Sequence, residues 1–360
     1  MQEHKSIVLF GSDFDPNPDI EGVRRKVSAF IEIEGRNSRK GPYDYLIESL
    51  KTEKIRFKDG GKFPCEEWLS TAPNLLASGE IYPEQYRKYI DQGNCLKYAR
   101  DFGNFVACRC KADEVPVTIA VDHALTGGII EKLQEKNGEK LKIVIFDAHL
   151  DAIPPAVRNG LVSYMREKSP EDNNYYYKYE YHGDTFKGSY DSGSFLYWLL
   201  AERIINPENL VIIGIQDEPS SELRNIKDAR IAAFIESYDS LLEQGVTIWP
   251  LSSIRQRYGF ERQISRISKK LSGGKIYLSI DIDVLDGNLG EATRYATPYG
   301  LSISEIADIL KRLKLEDADV VGLDLMELDV NKFISLGLNG ANLRFFFKKI
   351  LSNFNENFKA

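Results

Sequence analysis

Short apolar runs alternate with amphipathic stretches along most of the chain. Most of these runs are apolar or β-branched at every position, which is typical of strands that helices cover on both faces. Strands that alternate with helices indicate βαβ units and a mainly parallel sheet. The runs predict strands over residues 6–10, 116–120, 142–146, 209–214, 247–250, 275–280 and 320–325.

The amphipathic stretches between these runs predict the helical layers. They lie at residues 42–50, 82–107, 126–135, 192–204, 226–244, 260–271, 304–313 and 339–355. We find no internal repeat and no linker that would divide the chain. The pattern therefore predicts one α/β domain over residues 1–360, a three-layer αβα fold with a mainly parallel sheet.

Two stretches carry neither pattern and are expected to be irregular insertions, at about residues 51–79 and 154–190. The second contains a tyrosine-rich run from Tyr175 to Tyr181. An aromatic run in a loop can close over a site as a lid or pack locally. Local packing is the favoured interpretation.

Composition and charge narrow the classes of partner. With 42% hydrophobic and 28% charged residues, the chain can form a large core. Its formal net charge of −7 disfavours nucleic acids and anionic membranes as main partners. No apolar run reaches the roughly 18 residues of a membrane helix, and the N-terminus lacks the features of a signal peptide. We therefore expect a cytoplasmic protein.

The four cysteines do not predict a metal site. Zinc sites use C-x2-C pairs or nearby histidines, whereas Cys108 and Cys110 are separated by one residue and have no histidine close by. Disulfides are rare in a reducing cytoplasm. We expect free thiols at all four positions, which are Cys65, Cys95, Cys108 and Cys110.

Metal-ligand side chains follow the predicted strand at residues 142–146. Asp147, His149 and Asp151 occupy alternate positions, and in an extended chain such residues point to one side. They can therefore converge at the carboxyl end of the strand. This is the edge at which open α/β sheets bind ligands.

Two further predicted strands end in the same residue types. Asp281 and Asp283 lie at the end of one, and His123 follows the apolar run at 117–121. An aspartate after a strand is often only a helix cap or a turn residue, so each motif alone is a weak signal. The chain has only four histidines. Because His123 and His149 both lie beside aspartates at strand ends, chance placement is improbable.

Carboxylates gathered at one sheet edge repel one another, and some would stay protonated unless cations compensated them. Two divalent ions would resolve this repulsion. Carboxylates can bridge ions about 3.5–4 Å apart, and such a pair lowers the pKa of a shared water toward neutrality. Mixed carboxylate and imidazole ligands without cysteine fit Mn²⁺ better than structural zinc. We expect two Mn²⁺ ions per chain.

In these motifs the chain resembles the ureohydrolase family, which includes arginase and agmatinase. The resemblance follows the family's order along nearly the whole chain. The matching segments are Gly41-Pro42, Val121-Asp122-His123-Ala124, Asp147-Ala148-His149-Leu150-Asp151, Gly214-Ile215-Gln216-Asp217, the Ser-x-Asp-x-Asp-x-x-Asp pattern from Ser279 to Asp286, Ala296-Thr297-Pro298 with Gly300-Leu301-Ser302, and Leu323-Asp324-Leu325-Met326-Glu327.

The resemblance implies a sharing of ligands between the two metal ions. Asp147 and Asp281 would bridge the ions, and Asp151 would also orient the bridging hydroxide. The ligands of one ion would be His123, Asp147, Asp151 and Asp281. Those of the other would be Asp147, His149, Asp281 and Asp283.

The resemblance also implies contacts with substrate. Glu327 would pair with a guanidinium, since a planar donor fork suits a carboxylate. His182 lies in a segment similar to the His-Gly-Thr-x-Phe of agmatinases and would shuttle a proton; a plain loop histidine is the alternative. Asp217 and Glu218 are candidates for the substrate's amino group, and Thr297 is a further candidate contact.

The most telling departure from the family pattern lies where the family binds the part of the substrate away from the guanidinium. After Asp151 the loop is apolar, Ala152-Ile153-Pro154-Pro155, whereas arginases have an Asn and a Ser there that hold the α-carboxylate of arginine. No departure removes a metal ligand. We expect hydrolysis of a guanidinium C–N bond to urea and an amine. Arginine, agmatine and an arginine within a peptide stay open as substrates.

Two other classes of protein stay open as alternatives. A deacylase of the related deacetylase fold would use one metal with a His-His pair and a nearby Tyr, and this sequence has no His-His pair. A non-catalytic relative acting as a binding or scaffold protein would normally have lost ligands, and none is lost. Ureohydrolases commonly form trimers or hexamers, so a homo-oligomer is expected.

Overall fold

The computed structural model describes residues 5–32, 40–52, 57–74, 79–137, 141–168, 189–256, 259–315 and 318–354. Its strands are Ser6–Ser12 (β1), Lys58–Phe63 (β2), Glu114–Ala120 (β3), Lys142–Phe146 (β4), Leu210–Ile213 (β5), Thr247–Trp249 (β6), Lys275–Asp281 (β7) and Asp319–Met326 (β8). They form one parallel sheet in the order β2-β1-β3-β8-β7-β4-β5-β6. The α/β prediction and all seven predicted strands are confirmed.

Helices connect the strands. Those of the described residues are Ile20–Glu32 (α1), Pro42–Thr52 (α2), Pro83–Asp91 (α3), Asn94–Arg109 (α4), Ala124–Asn137 (α5), Pro155–Lys168 (α6), Phe195–Ala201 (α7), Ala229–Glu243 (α8), Leu251–Arg255 (α9), Phe260–Leu271 (α10), Gly287–Glu291 (α11), Ile303–Arg312 (α12), Val330–Ser335 (α13) and Gly340–Leu351 (α14).

The prediction of one helix over residues 82–107 was wrong, because this stretch forms both α3 and α4. Gly93 between them has a φ of +74°, a left-handed conformation that glycine adopts readily. Residues of both helices, including Ile90 and Cys95, enter the same apolar cluster. The hydrophobic pattern therefore continues across the break and does not reveal it.

Both stretches expected to be irregular contain regular structure. β2 lies in the first, at the edge of the sheet beside β1. None of its residues is buried and all but Phe63 are polar or glycine, so it forms no apolar run. α6 lies in the second and begins at Pro155, whose fixed φ suits the first turn of a helix. The run Tyr175–Tyr181 and His182 lie outside the described residues.

Apolar layers cover both faces of the sheet. In β7, Ile276 and Leu278 join one apolar cluster, whereas Tyr277 between them joins the other. The first cluster contains residues of α2, α10, α12 and α14, and the second contains residues of α4, α5, α7 and α8. The predicted three-layer arrangement is therefore confirmed. Among the described residues, no helix has both the length and the apolar character needed to span a bilayer.

All four cysteines are free thiols, as the sequence predicts. Cys95 and Cys110 are buried, Cys65 is half-buried and Cys108 is exposed.

The four central strands bring the candidate residues together. β3, β8, β7 and β4 are neighbours in the sheet and run parallel, so their carboxyl ends lie at one edge. His123 follows β3, Glu327 follows β8, Asp281 ends β7, and Asp147 follows β4. Residues more than two hundred positions apart in sequence thus become neighbours.

Candidate metal centre

His123 lies among three carboxylates. Its Nδ1 atom is 3.2 Å from Asp147 Oδ2, 3.3 Å from Asp151 Oδ2 and 3.1 Å from Asp281 Oδ2. The histidine is fully buried. The structure thus brings together four of the six predicted ligands, from three strand ends.

The remaining two predicted ligands form a second group beside the first. His149 Nδ1 is 2.7 Å from Asp283 Oδ2 and 3.8 Å from Asp147 Oδ1. Potential ligand atoms of His123, Asp147 and Asp151 lie within 4.8 Å of one another, and so do those of Asp147, His149 and Asp283. Two adjacent groups that share one carboxylate can hold two ions.

Backbone amides fix one oxygen of each of three carboxylates. Asp147 Oδ1 accepts a hydrogen bond from the His149 amide at 2.6 Å, and Asp281 Oδ1 accepts one from the Asp283 amide at 2.9 Å. Asp283 Oδ1 accepts from the Ala148 amide at 3.0 Å. The other oxygen of each carboxylate lies beside a histidine. The turns after β4 and β7 therefore orient these carboxylates before any ligand binds.

Two residues of the site have a left-handed backbone conformation. Asp151 has a φ of +48° and Glu327 a φ of +66°. For residues other than glycine this conformation costs about 1–2 kcal/mol. It persists where the surrounding structure enforces it, and it is frequent at functional sites.

The charges of the cluster are not balanced by protein groups alone. Burial, followed by the neighbouring aspartates, raises the pKa of Asp147 and of Asp281 well above the usual value. Burial opposes a charged His123, yet the surrounding carboxylates raise its pKa well above the usual value. His123 Nδ1 and Asp147 Oδ2 are buried without a hydrogen-bond partner. A divalent cation would satisfy both atoms, so the residues fit such ions.

A second set of polar groups contacts the His123 ring at Nε2, opposite the nitrogen that faces the carboxylates. His123 Nε2 lies 2.9 Å from Ser279 Oγ, and the Ser279 hydroxyl donates to Asp324 Oδ1. Thr126 and Tyr277 donate to the other oxygen of Asp324. Because Ser279 donates to Asp324, its oxygen accepts the Nε2 proton, which leaves the Nδ1 lone pair directed at the cluster.

Glu327 has a partner that the sequence analysis did not foresee. Arg294 Nε donates to Glu327 Oε2 at 2.9 Å, and Arg294 Nη2 donates to Oε1. The amide of His123 also donates to Oε1, at 3.0 Å. Burial raises the pKa of Glu327 to about 7, against the effect of Arg294. The carboxylate that the resemblance assigns to a substrate guanidinium thus binds a guanidinium of the chain itself.

Arg294 also binds two further buried carboxylates. Nη1 donates to Asp15 Oδ1 at 2.8 Å, and both Nη1 and Nη2 donate to Asp122 Oδ2 at 3.2 Å. Lys26 Nζ lies 3.1 Å from Asp15 Oδ2 and is itself buried. This network connects the loop after β1, the loop after β3 and the segment after α11.

A cavity of about 380 Å³ adjoins the cluster. His149, Asp151 and Asp217 are among its lining residues. Asp217 Oδ1 is buried without a hydrogen-bond partner, while Oδ2 accepts from the Leu150 amide at 3.1 Å. Burial raises the pKa of Asp217 to about 6, against the effect of His149. Of the two acidic candidates for a substrate contact, Asp217 is the one in the cavity.

The other predicted substrate contacts lie elsewhere. Glu218 is exposed, and its carboxylate accepts from Ser252 Oγ at 3.2 Å. Thr297 Oγ1 lies 3.2 Å from the Asp283 carbonyl oxygen and accepts from Gln216 Nε2 at 2.8 Å. Neither Glu218 nor Thr297 is among the described lining residues of the cavity.

Sequence reasoning missed Arg294 and Asp15, and it treated Asp122 only as a neighbour of His123. These residues come from distant parts of the chain, and no spacing in the sequence connects them. The one available signal was that Arg294 lies three residues before Thr297-Pro298, a segment that resembles a family motif. Its closeness to this motif marks it as a candidate site residue.

A protein-family model described as the Arginase family matches residues 5–332. Putative agmatinase 1 of Schizosaccharomyces pombe is 26% identical over 212 residues, which cover 59% of this chain and 44% of that protein. The agmatinase of Chromobacterium violaceum is 23% identical over 314 residues, covering 86% of this chain and 77% of that protein. This chain therefore spans less than half of the yeast relative's length.

Solved structures share the fold. Proclavaminate amidino hydrolase from Streptomyces clavuligerus aligns with a TM-score of 0.57 at 19% identity, covering 99% of this chain and 93% of that one. Arginase from Bacillus caldovelox aligns with a TM-score of 0.55 at 15% identity, covering 99% of both chains. At these identities the likeness concerns the fold.

Proposed function

The chain belongs to the arginase family, and from this premise we propose that it is a metal-dependent hydrolase of linear amidines, guanidino compounds among them. In this reaction water adds to the amidine carbon, a C–N bond breaks and an amine leaves with a proton. A guanidino compound gives urea as the second product. The observation that carries the proposal is the pair of adjacent ligand groups that share Asp147.

We assign two divalent ions, Mn²⁺ by preference, to the two ligand groups. When bound, such a pair lowers the pKa of a shared water so that hydroxide forms near neutrality. The absence of cysteine from the ligands and the mixture of imidazole and carboxylate favour Mn²⁺. The proposed ligands of one ion are His123, Asp147, Asp151 and Asp281. Those of the other are Asp147, His149, Asp281 and Asp283.

Other side chains handle the substrate and its protons. We propose that Asp151, which lines the cavity, orients the attacking water and accepts its proton. Asp217 is the proposed partner of a positively charged group on the substrate, since its buried Oδ1 has no other partner. The proposed roles of His182 as proton shuttle and of Glu327 toward the substrate rest on the family resemblance. Glu218 and Thr297 are not among the described lining residues of the cavity, so no contact in the structure supports their proposed roles.

The test combines metal analysis with a substrate panel. Protein reconstituted with Mn²⁺ should contain about two ions per chain and should release an amine from at least one panel member. The panel contains arginine, agmatine, an arginine-containing peptide and N-substituted formamidines. Full activity after thorough chelation would contradict the metal assignment. Two bound ions without any turnover would favour a binding protein, and turnover of acylated amines alone would favour a deacylase.

We also propose a cytoplasmic compartment and a homo-oligomeric assembly. The four free thiols agree with a reducing cytoplasm. A homo-oligomer rests on the family resemblance. Light scattering on the purified chain measures its mass in solution, and a monomer would contradict the proposed assembly.

A further inference from the structure

Every donor of Arg294 is already used. A guanidinium has five N–H donors in a planar fork. Nε and one Nη2 donor bind Glu327, the second Nη2 donor and one Nη1 donor bind Asp122, and the last Nη1 donor binds Asp15. The side chain is only 1% exposed. Arg294 therefore has no donor left with which to bind a ligand in the cavity.

Glu327 in turn has little capacity left. Its Oε1 atom accepts from Arg294 Nη2 and from the His123 amide, and its Oε2 atom accepts from Arg294 Nε. A carboxylate offers about four lone-pair positions, so about one remains, on Oε2. Its charge is also compensated by Arg294. The carboxylate cannot form a second two-bond pair with a substrate guanidinium while Arg294 stays in place.

A second guanidinium at Glu327 would also leave some of its N–H donors without an acceptor. Like any amidinium, it would lie next to the positive charge of Arg294. Unlike a formamidinium, it would also bring N–H donors on a third nitrogen, for which Glu327 has no acceptor. Buried donors without an acceptor lose the hydrogen bonds that they make in water. An amidine that carries a hydrogen or carbon atom in place of this nitrogen brings no such donors.

We propose that Arg294 determines the specificity of the site by occupying the guanidinium-binding position on Glu327. The site then favours an N-substituted amidine, without a third nitrogen on the reacting carbon, over a terminal guanidinium. This inference rests on the proposed function above. The products follow from the same bond cleavage, in which water adds to the carbon and the substituted nitrogen leaves as the amine. The other product is an amide instead of urea.

Removal of the Arg294 side chain tests the occupancy without any turnover. Arg294→Ala leaves a space beside three carboxylates that matches a small guanidinium. We expect millimolar methylguanidinium to raise the Tm of this variant in a saturable manner and to leave the wild type unchanged. Tetramethylammonium at the same ionic strength controls for a general salt effect. If the variant does not fold alone, refolding in methylguanidinium gives the same readout.

The matched control is Arg224→Ala, which removes an arginine from an exposed ion pair with Asp239. It should respond to methylguanidinium as the wild type does. If methylguanidinium fails to stabilise or refold Arg294→Ala, or stabilises the wild type equally, the assignment of this position as a guanidinium site is overturned.

Turnover tests the specificity with two substrates that differ only at the reacting carbon. These are agmatine and the formamidine built on the same aminobutyl chain, assayed with Mn²⁺. The wild type should have the higher kcat/KM for the formamidine. Arg294→Lys keeps the positive charge but lacks the donor fork, and it should shift the ratio toward agmatine by about tenfold or more.

A wild type that prefers agmatine, or a variant that loses the same factor on both substrates, would overturn the specificity role. If neither substrate is turned over by wild type or variant, the proposed function fails and the specificity fails with it. The methylguanidinium measurement still decides the occupancy in that case, because it needs no catalysis.

Discussion

Asp147 is the residue on which both ligand groups depend. Its Oδ1 atom is held by the His149 amide and lies 3.8 Å from His149 Nδ1, while Oδ2 lies 3.2 Å from His123 Nδ1. Each oxygen therefore faces a different histidine. A change of this one side chain affects both proposed ions.

Asp147→Asn should weaken binding of both Mn²⁺ ions by more than about 100-fold. This is more than the loss expected on mutating a residue that only hydrogen-bonds to a metal ligand. The amide retains an acceptor for the His149 backbone but loses the negative charge and one ligand oxygen. Equilibrium dialysis followed by metal analysis measures the occupancy. Asp239→Asn, at an exposed ion pair with Arg224, is the control. Normal occupancy of both ions in Asp147→Asn would refute the sharing of this carboxylate.

Ser279 acts on the site through His123. Ser279→Ala removes the acceptor for the Nε2 proton, so the ring can adopt the tautomer with a proton on Nδ1. We expect the affinity for Mn²⁺ to fall by about 10- to 100-fold, while activity at saturating Mn²⁺ falls much less. Ser279→Thr keeps the hydroxyl and should restore the affinity. An unchanged Mn²⁺ titration would show that Ser279 does not orient the ring.

The clustering of the proposed metal ligands was predictable because their signal is local. Asp147, His149 and Asp151 alternate after a buried strand, and strand geometry alone directs them to one side. Arg294 was not predictable in this way. Its partners lie 33, 172 and 279 positions away in the sequence, and only the folded chain brings them together.

Two helices pack closely behind the strand that leads to His123. A Cβ atom on Gly128 in α5 would lie 1.8 Å from the Ala99 carbonyl oxygen in α4, and one on Gly103 would lie 2.1 Å from the Gly128 carbonyl oxygen. Only glycine permits this approach of the two backbones. Because α5 begins directly after His123, the helix pair also fixes the end of the loop between β3 and α5.

Gly128→Ala should destabilise the protein by about 1–3 kcal/mol, because the new methyl group forces the two helices apart. We expect a lower Tm and a weaker affinity for Mn²⁺, since the displacement reaches His123. Gly79→Ala, where a Cβ would meet nothing within 4 Å, is the matched control and should leave both quantities unchanged. A Tm equal to that of the wild type would show that the two helices can move apart without a loss of stability.

A strand could be predicted from the sequence when its residues form a continuous apolar run that is buried in the fold. β4 and β7 are buried at nearly every position. The predicted bounds of β4 agree with the structure, and those of β7 miss only Asp281 at its end. β2 lies at the sheet edge with Lys58 and Asp59 exposed, so its sequence resembles a loop. Strand pairing with β1, a tertiary interaction, determines its conformation.

The order of strands in the sheet brings the whole site together. β8 lies between β3 and β7, although it comes last along the chain, and it carries Glu327 into contact with the His123 amide. The sequence predicted seven of these eight strands and their mainly parallel arrangement. It did not predict their order in the sheet, which depends on tertiary packing. The site is therefore a property of the complete sheet, and the ions should stabilise the complete molecule.

Chelation should lower the Tm, and the loss should be larger at about pH 8 than at about pH 5. Without ions, Asp147, Asp281 and His123 have pKa values raised above their usual values. A group with a raised pKa stabilises the folded state while protonated, and this contribution is lost as the pH rises through the raised pKa. The ion-free protein therefore weakens with rising pH. Ion binding strengthens over the same range, because its ligands must be deprotonated.

The size of the effect follows from mass action. At a free Mn²⁺ concentration 100 times the Kd, each ion adds about 2.7 kcal/mol to the stability, so two ions should raise the Tm by on the order of 10 °C. Differential scanning calorimetry with Mn²⁺ or with chelator, at both pH values, measures this difference. Asp147→Asn should show almost no response to Mn²⁺. A Tm difference that is absent, or that shrinks toward pH 8, would contradict a metal centre built from these carboxylates.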